Sequence, residues 1–286
     1  KAAVEIAHSP ECDPRQGGER MIFLNIGEPD FTAPPLVREA AERAIRDGRT
    51  QYTDATGLPA LRERLSQWYA TRFGLDIPAR RIVVTAGASA ALQLACLALF
   101  EAGDEVLMPD PSYPCNRHFV AAADAVARLV PAAPAQRYQL DAQSVRGAWT
   151  RATRGVLLAS PSNPTGTSID PSEMRRIVEW VREQGGVTVV DEIYLGLSYD
   201  DAFGHSALAH GDDVVSVNSF SKYFGMTGWR LGWLVLPEAL VAPVERLAQN
   251  LFICASSVAQ HAAMACFDPE SIAEYERRRA EFRARR

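Results

Sequence analysis

The 286-residue chain has no apolar run of membrane-spanning length. Crossing a bilayer as a helix takes roughly 20 consecutive apolar residues. The longest run here, AALQLACLALF at 90–100, has the length of a buried helix core. There is no CxxC pair, and the five cysteines (Cys12, Cys96, Cys115, Cys254, Cys266) are scattered and odd in number. With no signal peptide either, this set excludes a disulfide framework and points to a reducing, cytoplasmic setting. Cys96 and Cys254 sit among apolar residues and are expected in the core. No metal-ligand set is assigned. Positive charge is in short supply: the net charge is −5 and the pI about 5.6. That balance argues against an electrostatic nucleic-acid binder. The Arg-rich end, SIAEYERRRAEFRARR at 271–286, then reads as a solvated helix face. Internal repeats and low-complexity linkers are missing too; PAAPAQ at 131–136 is only loop-sized. What is present, 47% hydrophobic and 23% charged residues, is the composition of a globular chain able to bury a large core. The chain starts at Lys1 and stops inside a helical pattern without a cap, so it is expected to be a segment of a longer one.

Short apolar runs alternate with helical patterns from residue 36 onward. PLVREAAERAIRDG reads as a helix closed by Gly48, and LPALRERLSQWYATRFG as one that opens near Pro59 and closes at Gly74. Strand-like runs follow at 81–86, 105–109, 155–160, 187–191, 214–219 and 231–236, with helical patterns at 88–100, 114–125, 141–152 and 171–184 between several of them. Runs that are apolar on both faces and separated by helices predict an α/β fold, a three-layer α/β/α sandwich with a mostly parallel central sheet. The last two runs are joined by a loop with little helix, so one strand there is expected to be antiparallel. In such open sheets, ligands sit at the carboxyl ends of the strands.

Chemistry-bearing residues follow five of these runs. After RIVVTA comes GASAALQLA: Gly87 permits a tight turn, and the N–H groups of Ala88 and Ser89 with the Ser89 hydroxyl could hold a phosphate at the positive end of a helix. The same turn occurs in many α/β proteins as a plain helix start. After EVLMP comes DPSYPCNRHF, where Tyr113 is either a ring that stacks on a flat ligand or a buried Tyr in a Pro-rich turn. Cys115 beside it is read as packing. After GVLLAS comes PSNPTGT, where Asn163 offers an amide at the strand end or makes a simple turn. Asp110–Pro111 and Asn163–Pro164 are candidates for cis peptide bonds. After VTVVD, Asp191 ends an apolar strand, where a carboxylate needs a partner unless it caps the next helix; Tyr194 lies three residues on. After VVSVNS, the loop SFSKYFGMTGWR holds Ser219, Ser221, Lys222 and Arg230, with Gly225 and Gly228 allowing it to fold tightly.

A phosphate turn, a stacking ring, a carboxylate, a lysine and an arginine in this order are what pyridoxal 5'-phosphate (PLP) requires. Its aldehyde needs a neutral lysine amine, its pyridine nitrogen an acidic partner, and its phosphate helix-end N–H groups with an arginine fork. From LNIGEPDF (24–31) through NPTG and DEIY to SKYFGMTGWRLGW (221–233), the chain resembles the class I/II aminotransferases, the aspartate aminotransferase-like group of fold-type I PLP enzymes. The resemblance implies a PLP-dependent transfer of an amino group between an L-amino acid and a 2-oxo acid through a Lys222 Schiff base, with Lys222 also serving as the base that moves the Cα proton. It implies that Asp191 pairs with the pyridine nitrogen, that Tyr194 and Asn163 bond the ring oxygen, and that Tyr113 stacks on the ring. Ala88, Ser89, Ser219 and Arg230 would hold the phosphate. Tyr52, in TQYTDATGLPALR, would reach the phosphate of the neighbouring subunit, which implies a homodimer. Gly27, with Asn163, would meet the substrate carboxylate.

The resemblance also divides the chain. Residues 1–33 would be an N-terminal segment forming part of a small domain and substrate lid, 34–270 the PLP-binding large domain, and 271–286 the start of a helix leading to a C-terminal domain. In the family that domain runs for roughly another 100 residues and carries the arginine that grips the substrate α-carboxylate. Other functions are compatible with the same cofactor anchor: a C–S β-lyase or a synthase of this fold, or a PLP-binding regulatory domain.

Overall fold

The computed structural model of the chain describes residues 27–286 together with Ser9, Cys12 and Arg15. Two compact units are present, Lys1–Asp30 and Phe31–Arg286. In the first, the Cys12 amide donates to the Ser9 carbonyl at 3.0 Å, and residues 27–30 have no regular structure.

The second unit is built on a seven-stranded sheet. In chain order its strands are β1 (Ile82–Thr85), β2 (Glu105–Asp110), β3 (Val126–Pro131), β4 (Thr153–Ala159), β5 (Val187–Asp191), β6 (Val215–Ser219) and β7 (Gly232–Val235). The spatial order is β1-β7-β6-β5-β4-β2-β3, parallel throughout except for β7, which runs antiparallel to both its neighbours. The one reversed strand falls in the region where the short Lys222 loop replaces a crossover helix, as the sequence predicts.

Successive strand side chains enter opposite cores. Ile82, Val84, Leu107, Val156, Leu158, Val190, Trp233 and Val235 join one apolar cluster; Val83, Val106, Met108, Leu157, Val189, Val215, Val217 and Leu234 join the other. The first cluster is closed by helices α1 (Pro35–Arg46), α2 (Pro59–Phe73), α5 (Ala142–Ala148), α6 (Pro171–Glu183), α8 (Ser257–Ala263) and α9 (Pro269–Arg285). The second is closed by α3 (Ala88–Leu99), α4 (Asn116–Ala122) and α7 (Glu238–Phe252). Local chemistry sets the helix limits. Pro35, Pro59 and Pro171 occupy the first helical positions, Asp170 caps α6 by accepting from the Ser172 amide at 2.8 Å, and Gly74 ends α2 at φ 67°. In α6, Met174, Ile177, Val178 and Val181 form the buried stripe of an amphipathic helix.

Three expectations need correction. Residues 126–131 form a strand that the apolar pattern does not announce. Arg128 interrupts the run, and β3 is an edge strand of mostly half-buried residues held by β2 alone. The helical pattern at 114–125 shortens to Asn116–Ala122, because Tyr113 to Cys115 belong to the turn after β2. Cys254 is half-buried, in the bend after α7 where Ile253 has φ 64°, whereas Cys96 and Cys266 are fully buried. The peptide bonds before Pro111 and Pro164 are cis, as is a third before Pro161.

β4 and β5 approach closely at Gly155, where a Cβ would lie 2.5 Å from the Val187 carbonyl oxygen. That obstacle is backbone and cannot rotate away. Gly155→Ala is expected to force the two strands apart and to destabilise the protein by about 1–3 kcal/mol. Urea unfolding of the variant against the wild type measures it, and equal midpoints would refute the close approach.

Candidate active site

Because β1, β2, β4, β5 and β6 are parallel, their last residues (Thr85, Asp110, Ala159, Asp191 and Ser219) share one edge of the sheet, and β7 begins there at Gly232. The candidate residues Ala88, Ser89, Tyr113, Asn163, Tyr194, Lys222 and Arg230 lie on the turns that leave this edge.

At β1 the chain turns through Gly87, at φ 86°, into α3. No side chain caps this helix, and its first turn carries no acidic residue. Arg230, exposed and at φ 51°, folds back over the turn: a Cβ on Gly87 would lie 2.6 Å from an Arg230 guanidinium nitrogen. Arg230 Nη1 also donates to the Thr227 carbonyl at 2.9 Å. A Cβ on Gly232 would lie 2.8 Å from the Ala88 amide nitrogen, so β7 too comes close against the helix start. Ser219 Oγ, buried beside them, donates to the Leu231 carbonyl at 3.3 Å and accepts from the Ser221 amide at 3.0 Å. The exposed Ser89 completes the first turn. A guanidinium lying on the positive end of a helix favours an anion with several oxygens, such as a phosphate.

At β5 the character reverses. Asp191 is 5% exposed, and its Oδ1 accepts from the Ile193 amide at 3.1 Å. Burial pushes its carboxyl up to about 7; the Ile193 bond works against this and the neighbouring Glu192 charge adds to it. Tyr194 follows, its phenol raised by burial first and by the Asp191 charge second. The Asn163 amide donates to the Tyr194 hydroxyl at 3.4 Å, and Lys222 Nζ stands 5.7 Å from the centre of the Tyr194 ring. Tyr113 is half-buried, and its phenol is pushed up to about 12, first by a hydrogen bond with Cys115 and then by burial. Lys222 is one of two lysines among the chain's 30 Lys and Arg residues, the other being Lys1.

Two clusters therefore form: Lys222, Tyr194, Asn163 and Asp191 on one side, and Arg230, Gly87, Ala88 and Ser219 on the other. Tyr52 stands apart, 78% exposed on the loop between α1 and α2. Gly27 belongs to the first unit, where it is exposed; Leu24, Asn25 and Ile26 of the same motif lie outside the described residues. The sequence reading passed over Glu192, although it stands next to Asp191. Glu192 is 1% exposed and accepts from Ser216 Oγ (2.7 Å), the Ala207 amide (2.7 Å), Ser206 Oγ (2.9 Å) and Asn218 Nδ2 (3.5 Å). A second carboxylate at the end of an apolar strand was the available signal. Among the described residues, no group of three or more His, Cys, Asp or Glu side chains could hold a metal ion, and no helix is long and apolar enough to cross a membrane.

Residues 19–286 match the family profile "Aminotransferase class I and II". A valine–pyruvate aminotransferase of Mycobacterium tuberculosis is 40% identical over 255 residues, which is 89% of this chain and 66% of that protein. The crystal structure of an aminotransferase from Mycobacterium tuberculosis superposes with a TM-score of 0.90 at 38% identity, covering 98% of this chain and 70% of the other. Aspartate aminotransferase from Thermus thermophilus with maleate superposes with a TM-score of 0.91 at 30% identity, covering 99% and 74%. The chain spans just under two thirds of the length of several curated relatives that it matches.

The raised Asp191 carboxyl carries a signed pH dependence. Below its ordinary value of 3.8 the group is protonated in both folded and unfolded chains; between there and about 7 only the folded chain holds the proton. In the cofactor-free protein the stability contribution of Asp191 is thus fully present at low pH, is lost as pH rises to about 7, and then levels off. Asp191→Asn removes this dependence, so the variant should gain on the wild type across that window, by up to about 4 kcal/mol. Urea melts at pH 4, 5.5, 7 and 8 check it; a difference that is constant with pH would count against the burial argument.

Proposed function

The chain belongs to the class I and II aminotransferase family, and from that membership we propose that it moves an amino group between an L-amino acid and a 2-oxo acid with PLP as cofactor. The observation that carries this reading is the polarity of the sheet edge. A guanidinium lies on an uncapped helix start at one end, and a buried acid stands at the other, with Lys222, Tyr194 and Asn163 on the same edge. An anionic group and a protonated ring nitrogen, joined by a flat ring, fit these two ends.

When bound, PLP supplies an aldehyde that condenses with amines and a ring that draws electrons from the substrate Cα. The protein's residues do the rest. Arg230, Ser219 and the amides of Ala88 and Ser89 hold the phosphate. Asp191 holds the ring nitrogen, and pairing with a cation draws its carboxyl back to the charged form. Tyr194 and Asn163 hold the ring oxygen, and Tyr113 covers the ring face. Lys222 Nζ would hold the aldehyde end of the cofactor, and the same amine would serve as the general base for the substrate Cα proton. Asn163 would meet the substrate carboxylate, and Gly27 of the first unit is the motif's candidate for the same group. The exposure of Tyr52 suits a residue that serves a neighbouring subunit of a homodimer. In this reading residues 34–270 form the cofactor-binding part, 1–33 belong to a small domain and substrate lid, and 271–286 are the start of a helix that leaves the cofactor-binding part. The scattered, odd set of five cysteines in the sequence supports a cytoplasmic setting.

Lys222→Ala is expected to abolish the visible absorption band that PLP develops on the wild type and to lower transamination by about 10²–10⁴-fold or more. Arg230→Gln should keep the band and weaken PLP binding by about tenfold or more. Valine and aspartate as donors against pyruvate and 2-oxoglutarate, with the longest natural chain, test the reaction. An unchanged band in Lys222→Ala would defeat the assignment, and pyruvate release from cysteine without an acceptor would favour a lyase.

A further inference from the structure

Tyr223 follows Lys222 and is 6% exposed. Its ring lies over Gly196, where a Cβ would come within 2.7 Å of Tyr223 Cγ, and its hydroxyl donates to Glu276 Oε1 on α9 at 2.7 Å. The Glu276 carboxylate also meets Arg72 of α2 at 3.1 Å and Arg279, one turn along α9, at 3.0 Å. Arg279 in turn donates through Nε to the Ser198 carbonyl at 2.9 Å, and through Nη2 to the same oxygen. Ser198 ends the single helical turn Leu195–Leu197 that begins at Tyr194. One carboxylate on α9 is therefore tied to two elements of the Lys222 and Tyr194 cluster: through Tyr223 to the loop of Lys222, and through Arg279 to the turn of Tyr194.

We propose that Glu276 is a positioning residue, which with Tyr223 and Arg279 fixes the separation between the Lys222 amine and the Tyr194 ring. The inference rests on the reading of Lys222 as the reacting amine. The junction is rigid for physical reasons. Its members are only 23–34% exposed at Arg72, Glu276 and Arg279, and the phenol bonded to the carboxylate is buried. Burial acts to raise the Glu276 carboxyl, but the Tyr223 bond and the charges of Arg72 and Arg279 outweigh it and hold it low. Arg72 lies 5.8 Å from the centres of both the Trp68 and Tyr223 rings, and the Tyr275 ring centre is 5.3 Å from that of Tyr223. A charged acceptor with two hydrogen-bond donors, Tyr223 and Arg279, and a further guanidinium paired to it loses more than one interaction when it is neutralised.

The test reads Lys222 without cofactor. With two lysines in the chain, acylation by an amine-reactive ester followed by peptide mass analysis isolates Lys222. Lys222 Nζ stands 5.7 Å from the centre of the Tyr194 ring, and that contact holds the amine back from the ester. Glu276→Gln releases that ring, so Lys222 should acylate about two- to fivefold faster at neutral pH. Tyr223→Phe should do the same, and the double variant should exceed neither single by more than about twofold, because one path is cut in each. Glu281→Gln, which breaks the exposed pair with Arg285 on the same helix, should leave the rate unchanged. A merely structural role predicts lower melting temperatures with an unchanged Lys222 rate, and that result overturns the proposal, as do additive effects of the two substitutions. Failure of the cofactor reading shows separately, as the absence of any visible band when PLP is added to the wild type.

Discussion

Every strand of the sheet except the edge strand β3 buries both of its faces, and the placement of polar chemistry follows from that. Parallel strands need crossover connections that pack on the sheet, and here α3 and α4 cover one face while α5 and α6 cover the other. Alternate side chains of one strand therefore enter two separate apolar clusters, as Val83 and Val84 or Leu157 and Leu158 do. Polar side chains within such strands are costly unless bonded, which leaves the strand ends as the place for them. Six strands pointing the same way put those ends on one edge. The reversed strand β7 adds its first residue to that edge, with Gly232 close against the start of α3.

Two buried carboxylates stand next to each other at the end of β5 and differ in what surrounds them. Glu192 accepts hydrogen bonds from Ser206, Ala207, Ser216 and Asn218, which uses the capacity of its two oxygens to join β6 to the turn at 206–207. Asn218 extends the network to the Tyr69 hydroxyl, which also accepts from the Trp233 indole at 3.0 Å. Asp191 accepts from the Ile193 amide and has no such set of hydroxyl donors among the described residues. A buried acid surrounded by donors serves to hold the fold, whereas one with few donors keeps affinity for a cation from outside the chain. That difference separates the structural member of the pair from the one suited to a ligand.

The placement of the candidate residues was largely legible because they fall on strand ends, where apolar runs stop abruptly at Asp191, Ser219 and the turn at Gly87. Each stop reads as a boundary and supplies a named side chain. What resisted reading has one physical cause, dependence on a partner distant in sequence. β3 exists because β2 offers it a ladder, not because 126–131 alternates cleanly. Cys254 looks apolar in its neighbours, yet the bend at Ile253 turns it half outward. The Arg-rich end of the chain reads as a solvated face, and Arg277, Arg283 and Arg286 keep to that reading. Arg278 is 9% exposed and Arg279 reaches the Ser198 carbonyl, 81 positions away.

By itself the sequence determined the α/β class, the parallel strands with one reversal, most element limits, and which residues border the strand-end edge of the sheet. These follow from local rules: β-branched apolar runs, helix caps and glycines that permit tight turns. Only the tertiary structure decided that Arg230 lies on Gly87, that Asp191 is buried deeply enough to hold its proton to about 7, and that Glu276 joins the Lys222 loop to the Tyr194 turn. Each of these depends on how far a side chain is removed from water and which distant atom it meets, quantities set by packing between elements and not by the order of residues within one.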